Sequence, residues 1–209
     1  MACELCPRAC KVDRSAGERG ICGETDRVKV ARAALHMWEE PCISGKAGSG
    51  AVFFCGCALH CVFCQNGNIA NGTVGKEITE ERLAEIFLEL QEKRANNINL
   101  VTAGQFAPQV VRALRRAKDG GLDIPVVYNT SSYENVDTIK RFEGLVDIYL
   151  PDLKYVDEKL SAKYSHAPDY FVTAQAAIRE MVRQTGKPEF AVSGEQRHIF
   201  AEEYNDRCD

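Results

Sequence analysis

The chain has 209 residues, of which 45% are hydrophobic and 27% are charged, and its net charge is −4. This composition is typical of a globular protein with one sizeable core, and it does not favour binding to nucleic acid or to an anionic membrane. No apolar run approaches the roughly 20 residues of a membrane span, and the N-terminus lacks the pattern of a secretory signal, so we expect a cytoplasmic protein.

Cysteine is concentrated in the first third of the chain. In a cytoplasmic protein, ten cysteines indicate metal or redox chemistry rather than disulfide bonds. Seven of the ten form two groups, which are Cys3, Cys6, Cys10 and Cys22, and then Cys57, Cys61 and Cys64. Residues 1–45 are therefore predicted to form a small Cys-rich metal-binding module.

Residues 46–190 begin with a glycine-rich link and then alternate between short apolar runs and amphipathic patterns. The predicted strands are Ala51–Phe54, Ile98–Thr102, Pro125–Tyr128 and Asp147–Leu150. The predicted helices share apolar residues spaced by three and four, and they begin near Thr79, Pro108, Val136 and Phe171. Four strand–helix units in series predict an α/β fold with a parallel sheet or partial barrel. Residues 191–209 form a polar, atypical tail without a convincing strand.

The loops after the four predicted strands carry most of the chemically interesting residues. These loops are Cys57–Cys64, Thr102–Phe106, Asn129–Tyr133 and Pro151–Lys154. Because ligands bind at the carboxyl ends of parallel strands, we expect the four loops to form one shared site.

The first of these loops has the spacing C-x3-C-x2-C, from Cys57 to Cys64. Three thiolates so close in sequence suit an iron–sulfur cluster, because soft sulfur ligands favour it. A structural zinc site is the alternative, but it would need a fourth ligand. A four-iron cluster held by three cysteines leaves one iron open for a substrate or cofactor.

This loop, with an aromatic residue between its last two cysteines, resembles the signature of the radical S-adenosylmethionine (SAM) superfamily. The wider string from Gly50 to Asn66 is similar to the branch that includes the pyruvate formate-lyase activating enzymes. Further blocks match that branch, namely Cys6-Pro7-Arg8 with Cys10, Asp13-Arg14, Gly20-Ile21-Cys22-Gly23, Val127–Ser131 and Pro151–Tyr155. The resemblance extends over residues 3 to about 189.

The resemblance implies an incomplete (β/α)6-type partial TIM barrel with a Cys-rich N-terminal module. It implies a 4Fe–4S cluster and SAM as cofactors, and reductive cleavage of SAM to a 5′-deoxyadenosyl radical. In activating enzymes this radical abstracts hydrogen from a glycine of a partner. The implied partners are a glycyl radical enzyme or another protein substrate, and an electron donor such as flavodoxin or ferredoxin.

Carried over by position, Cys57, Cys61 and Cys64 would bind the cluster. The residues that would contact SAM are Phe63 at the adenine, Thr102, Ala103 and Gly104 at the methionyl amine, Asn129, and Asp152 and Lys154 at the ribose and carboxylate. Simpler roles stay open, with Phe63 in the core, Asn129 in a turn and His60 as a bystander. For Asp152 and Lys154 the simpler role is a solvated turn.

Three positions depart from the family pattern. The string Thr102–Gln105 reads Thr-Ala-Gly-Gln where relatives carry Gly-Gly-Glu, and Asn129 stands where well-studied activating enzymes have Asp. Cys55 replaces a small residue that is not a thiol. For the four N-terminal cysteines, zinc, a second iron–sulfur cluster and unliganded thiols all stay open.

The resemblance ends near Phe190, although relatives continue into two more strands. An interrupted reading frame would produce such a tail, and on this hypothesis we expect weak or no SAM cleavage. Whether the chain is an enzyme is thus open, and two other functions remain. One is a catalytically impaired or non-catalytic iron–sulfur or zinc-binding remnant of the family, and the other is a zinc-clamped binding module.

Overall fold

The computed structural model describes residues 2–186. The predicted tail at 191–209, with His198 and Cys208, lies outside the described residues, as does Pro188. None of the helices within residues 2–186 is long and apolar enough to cross a membrane.

A sheet of six strands forms the centre of the fold. The strands are β1 (Lys29–His36), β2 (Ser49–Phe54), β3 (Lys76–Glu77), β4 (Ile98–Val101), β5 (Val126–Thr130) and β6 (Ile148–Pro151), in the order β3-β1-β2-β4-β5-β6. Strands β2, β4, β5 and β6 run parallel, which confirms the predicted α/β fold and its four parallel strands. Strands β1 and β3 have no counterpart among the predicted strands. β1 pairs antiparallel with β2, and β3 pairs antiparallel with β1.

Seven helices accompany the strands of the described segment. They are α1 (Pro41–Ser44), α2 (Gly67–Ala70), α3 (Glu80–Glu92), α4 (Ala107–Asp119), α5 (Val136–Lys140), α6 (Glu158–Ser165) and α7 (Tyr170–Thr185). Short 3-10 turns occur at Arg14–Ala16 and Gly104–Phe106. The predicted helix starts match α3, α4, α5 and α7, and the predicted N-cap Thr79 accepts a hydrogen bond at Oγ1 from the amide of Arg82 (3.2 Å).

The main core lies between one face of the sheet and helices α3, α4, α5 and α7. In α3, Leu83, Phe87 and Leu90 are buried, as expected from their spacing on one helical face. In α4, Leu114 and Ala117 are fully buried in the same cluster. This packing leaves the opposite face of the parallel strands available for a site.

The opposite face is closed near the amino ends of the strands by α1. Ile43 packs there against Val127 and Ile148, and its carbonyl oxygen accepts a hydrogen bond from Asn97 Nδ2 at 2.8 Å. Helix α1 does not cover the carboxyl ends of the parallel strands, where the predicted loops lie. The fold is thus a partial (β/α) barrel with its candidate site at one end.

Candidate functional site

The loop Cys57–Cys64, called the cluster loop below, follows β2 after Cys55 and Gly56. Burial raises the pKa of the Cys57 thiol. Amides of the loop oppose this shift, and Leu59 N donates to Cys57 Sγ at 3.4 Å. The neighbouring Cys61 and Cys64 raise the pKa of Cys57 further, so the three thiols lie within electrostatic reach of one another.

The backbone of the cluster loop depends on a glycine at its start. Gly56 has φ +80°, and a Cβ there would come within 2.6 Å of the carbonyl oxygen of Cys22. A side chain at this position would therefore clash with the N-terminal module. Farther along, the amide of Cys64 donates to the carbonyl of Cys61 (3.0 Å), which forms a turn that holds the last two cysteines together.

Asp152 and Lys154 face the cluster loop from the end of β6. Lys154 Nζ lies 2.6 Å from Asp152 Oδ2. Burial alone would lower the pKa of Lys154, but the Asp152 carboxylate beside it and then the Cys61 and Cys57 thiols raise it above its ordinary value. Lys154 is thus a charged group within electrostatic reach of two of the predicted cluster ligands, and both it and Asp152 are exposed.

Two tyrosines fix the loop that carries Lys154. The hydroxyl of Tyr170 accepts from the amide of Lys154 at 2.8 Å and lies 3.0 Å from the carbonyl oxygen of Asp152. Tyr155 shares a hydrogen bond with Ser165 Oγ (2.7 Å). Its ring meets that of Phe63 edge-on, with 6.2 Å between the centroids. Phe63 is 56% exposed, so the alternative of a core role for it is wrong.

Gln105 joins the loops that follow β2 and β4. Its Nε2 donates to the carbonyl oxygens of Cys55 (2.8 Å), Gly56 (2.9 Å) and Thr102 (2.9 Å). An ionised glutamate could only accept hydrogen bonds and would repel these oxygens. The glutamine that departs from the family's Gly-Gly-Glu string is therefore the residue type that this local structure requires.

The predicted Thr102–Gly104 segment lies at the end of β4 with unusual backbone geometry. Thr102 has φ +55°, and its amide donates to the carbonyl of Asn129 at 3.0 Å. A Cβ on Gly104 would come within 2.3 Å of Glu134 Oε2, so only glycine fits against this carboxyl group. Burial raises the pKa of Glu134 to about 7, although hydrogen bonds from Thr130 and Tyr128 act against this shift.

Asn129 is half-buried near the carboxyl end of β5, directly opposite Val101. Since side chains alternate along a strand, its side chain lies on the face away from those of Tyr128 and Thr130, which bond to Glu134. That face is the one lined at its far end by α1. The structure thus places Asn129 on the site face of the sheet.

On the same face, farther from the carboxyl ends of the strands, Asn99 and Glu39 form a polar pair that is not predicted from the sequence. This pair is called the polar floor below. Asn99 Nδ2 donates to Glu39 Oε2 at 2.7 Å. Burial raises the pKa of Glu39 to about 7, with further contributions from Glu40 and Asp152. Neither residue belongs to a motif recognised in the sequence, so the pair becomes apparent only from the fold.

The four N-terminal cysteines also lie within reach of one another. A Cβ on Gly20 would be 3.2 Å from Cys10 Sγ and 3.5 Å from Cys22 Sγ. Burial raises the pKa of Cys6 to about 12, and Cys22 and Cys3 contribute to that shift. Within residues 2–186, however, no group of three or more His, Cys, Asp or Glu side chains is arranged so that it could hold a metal ion.

The described side-chain contacts of His36 and His60 are with groups other than thiols. His60 Nε2 lies 2.9 Å from the carbonyl oxygen of Ile21, so it contacts the N-terminal module. His36 packs edge-on to Phe53 in β2. The role of His60 as a bystander stays a prediction.

Comparisons with known proteins decide the family. The profile of the family described as "Radical SAM superfamily" matches residues 51–191, which is well over half of the chain. The chain belongs to the radical SAM superfamily. The matched region of this radical SAM chain contains the cluster loop and the loops that follow β4, β5 and β6.

Two curated relatives extend the comparison. An uncharacterized protein of Methanocaldococcus jannaschii is 32% identical over 178 residues, which cover 81% of this chain and 50% of the relative. The pyruvate formate-lyase-activating enzyme of Clostridium pasteurianum is 28% identical over 121 residues, which cover 56% of this chain and 50% of that enzyme. The chain spans about half the length of each relative. The similarity supports the activating-enzyme-like branch.

The radical SAM family implies a 4Fe–4S cluster and SAM, and the donor set of the cluster loop fits the cluster. Cys57, Cys61 and Cys64 would supply three soft sulfur ligands, and the Lys154 ammonium within electrostatic reach of them would compensate negative charge. Phe63 lies in the cluster loop with its ring edge-on to that of Tyr155, and Asp152 follows β6 and pairs with Lys154.

Proposed function

We propose that this radical SAM protein is an activating enzyme of the glycyl radical type. The observation that carries the proposal is the placement of the charged Asp152–Lys154 pair against Cys57 and Cys61 at the ends of the parallel strands. The similarity to a pyruvate formate-lyase-activating enzyme supports the same branch.

In this proposal, Cys57, Cys61 and Cys64 hold the 4Fe–4S cluster. When bound, the cluster and SAM together supply a 5′-deoxyadenosyl radical by one-electron reductive cleavage. The chain's own task is to orient SAM, to place charge and to keep water away from the reacting groups.

The residues around the cluster loop have distinct binding roles in this proposal. Lys154 pairs with the methionyl carboxylate, which suits a compact ammonium charge, and Asp152 accepts hydrogen bonds from the ribose hydroxyls. Phe63 is exposed and held by Tyr155, so its ring is available to the adenine.

The methionyl amine meets the backbone of Thr102, Ala103 and Gly104, which Gln105 fixes relative to the cluster loop. Asn129 offers a neutral amide on the site face, which can accept a hydrogen bond but cannot neutralise an ammonium group. The polar floor formed by Glu39 and Asn99 lies below it.

The partners follow from the proposed reaction. Hydrogen abstraction requires a substrate, which we assign to a glycyl radical enzyme or another protein. The one-electron step requires a reductant, which we assign to a flavodoxin or a ferredoxin.

The test is anaerobic reconstitution with iron and sulfide, followed by addition of SAM and dithionite. We expect four-iron cluster absorbance and weak formation of 5′-deoxyadenosine, and we expect the Cys57→Ala/Cys61→Ala/Cys64→Ala variant to lose both. Cys42→Ala is the matched control, because Cys42 lies in α1 and packs at the opposite end of the site face. Cluster loading without 5′-deoxyadenosine would favour a non-catalytic iron–sulfur protein, and unchanged iron and sulfide in the triple variant would refute the ligand assignment.

A further inference from the structure

The N-terminal module and the cluster loop are interlocked, and the first connection is Arg8. Its Nε donates to the carbonyl of Ala58 at 2.8 Å, and its Nη2 lies 3.5 Å from the carbonyl oxygen of Leu59. The same guanidinium donates to the carbonyls of Ser165 (2.7 Å) and His166 at the end of α6. One side chain, two positions after Cys6, therefore joins the cluster loop to the helix behind it.

Arg14 makes the second connection, from the side of Cys3. Arg14 is buried, and its Nη1 lies 3.9 Å from Cys3 Sγ and donates to the backbone carbonyl of Gln105 at 2.6 Å. The side chain of Gln105 in turn donates to the carbonyls of Cys55 and Gly56. A continuous set of hydrogen bonds thus runs from an N-terminal cysteine to the residue that precedes Cys57.

The third connection comes from Cys22 and its neighbour. The carbonyl oxygen of Ile21 lies 2.9 Å from His60 Nε2, in the middle of the cluster loop. The carbonyl of Cys22 lies so close to Gly56 that no side chain fits between them. The module therefore contacts the cluster loop or the residues before it at three places. These are Ile21 and Cys22, Arg8 (two residues after Cys6), and Arg14, which contacts Cys3.

The module that makes these contacts has almost no apolar core of its own. Between residues 2 and 26, the buried side chains are Arg14, Cys22 and Glu24. A segment with so little apolar burial needs another source of order, and a bound metal supplies it in many small Cys-rich modules. A Cβ on Gly20 would lie 3.2 Å from Cys10 Sγ and 3.5 Å from Cys22 Sγ, so these two thiols are neighbours. Together with Cys3 and Cys6 they offer four thiols, which are suitable ligands for such a metal.

We infer that Cys3, Cys6, Cys10 and Cys22 bind a thiolate-preferring metal centre and that this centre holds the cluster loop in place. Arg8 and Arg14 are the positioning residues, because their hydrogen bonds connect the metal-bound module to the cluster loop. The part that concerns the cluster loop deepens the proposed function and rests on it, whereas metal binding by the module does not depend on it.

The test separates the two centres by using the full chain with the substitutions Cys57→Ala, Cys61→Ala and Cys64→Ala. Metal content is measured after addition of zinc and, separately, after reconstitution with iron and sulfide. We expect this triple variant to retain a metal that is lost when Cys10→Ser and Cys22→Ser are added. Absence of any bound metal from the triple variant would overturn the inference, and the two loading arms identify which metal is bound.

Hydrogen exchange then reports on the cluster loop without needing a cluster in it. Metal binding to the module should slow exchange at the amides of Val62 and residue 64, each hydrogen-bonded to a backbone carbonyl in the structure, by about tenfold or more. Arg8→Gln should abolish this slowing while leaving the bound metal in place. Arg19→Gln is the matched control, because Arg19 bonds within the module to the carbonyl of Gly23 (2.8 Å) and has no described contact with the cluster loop.

The outcomes distinguish this inference from the proposed function. If the triple variant does not fold by circular dichroism, Cys64→Ala alone replaces it. Metal binding that leaves the exchange of the cluster loop unchanged would overturn the positioning role. Failure of the unsubstituted chain to load a cluster at Cys57–Cys64 would refute the proposed function, and the exchange result would then decide this inference independently.

Discussion

Gln105→Ala is the single substitution that most sharply tests how the site is held. Gln105 is 5% exposed, and its side-chain amide bridges the carbonyl oxygens of Cys55, Gly56 and Thr102 within 2.9 Å. Alanine removes this donor, so the three carbonyl oxygens lose their hydrogen bonds from Gln105. The backbone carbonyl that accepts from Arg14 is unchanged by the substitution.

The magnitude follows from the hydrogen bonds. An NH2 group has two hydrogens, and each net hydrogen bond contributes about 0.5–1.5 kcal/mol, while a buried polar group left unpaired costs about 1–3 kcal/mol. We therefore expect Gln105→Ala to lower the free energy of unfolding by about 2–3 kcal/mol. Because the affected carbonyls adjoin Cys57, we also expect the affinity of the cluster loop for its cluster to fall about 10–100-fold.

The assay combines urea unfolding of the apo chain with the rate at which a chelator removes iron from the reconstituted chain. Gln91→Ala is the matched control, since Gln91 Nε2 donates to Gly121 O (2.9 Å) and its Oε1 accepts from Asp123 N (2.9 Å), far from the cluster loop. It should lower stability without changing iron loss. Equal rates of iron loss for the two variants would refute the reasoning.

Three further predictions concern ionisation and SAM binding. Burial raises the pKa of Glu134 to about 7, so the stabilising contribution of this group is fully present below about pH 4.5 and is lost as the pH rises through 7. Glu134→Gln should remove this pH dependence of the free energy of unfolding, which amounts to up to about 3 kcal/mol. Urea unfolding of both chains between pH 5 and 8 checks it, and parallel pH profiles would contradict it. Lys154→Met should weaken SAM binding by about tenfold or more in calorimetry, because an ionic hydrogen bond is lost, whereas the exposed Lys159→Met should not. Phe63→Ala should also weaken SAM binding without lowering the melting temperature, since Phe63 is 56% exposed, and an equal loss for Val62→Ala would argue against a specific role.

Much of the sheet could be predicted because its parallel strands are short, mostly apolar runs. Strand β1 has no such signal, since only Val30 of its eight residues is buried and a bulge between Val30 and Arg32 breaks the alternation. Helix α6 is missed for a similar reason, because its buried residues are serines. The N-cap residue of α6 could have indicated the start of this helix, since the side chain of Asp157 accepts hydrogen bonds from two amides there.

The candidate site divides in the same way. The cysteines are recognisable because metal ligands must recur at short spacings, and Asp152 and Lys154 are recognisable through a family motif. Arg8, Arg14 and Gln105 are missed as functional residues because their acceptors are backbone carbonyls, which every residue carries and no sequence pattern distinguishes. Only the fold reveals which carbonyls converge on one side chain.

The most direct test of the central claim is electron paramagnetic resonance of the anaerobically reconstituted, dithionite-reduced chain, recorded before and after addition of SAM. We predict the signal of a reduced four-iron cluster that changes on addition of SAM, because SAM would bind the iron left open by Cys57, Cys61 and Cys64. We also predict loss of that signal in the triple alanine variant. A cluster signal that does not respond to SAM, or that persists unchanged in the triple variant, would contradict the central claim.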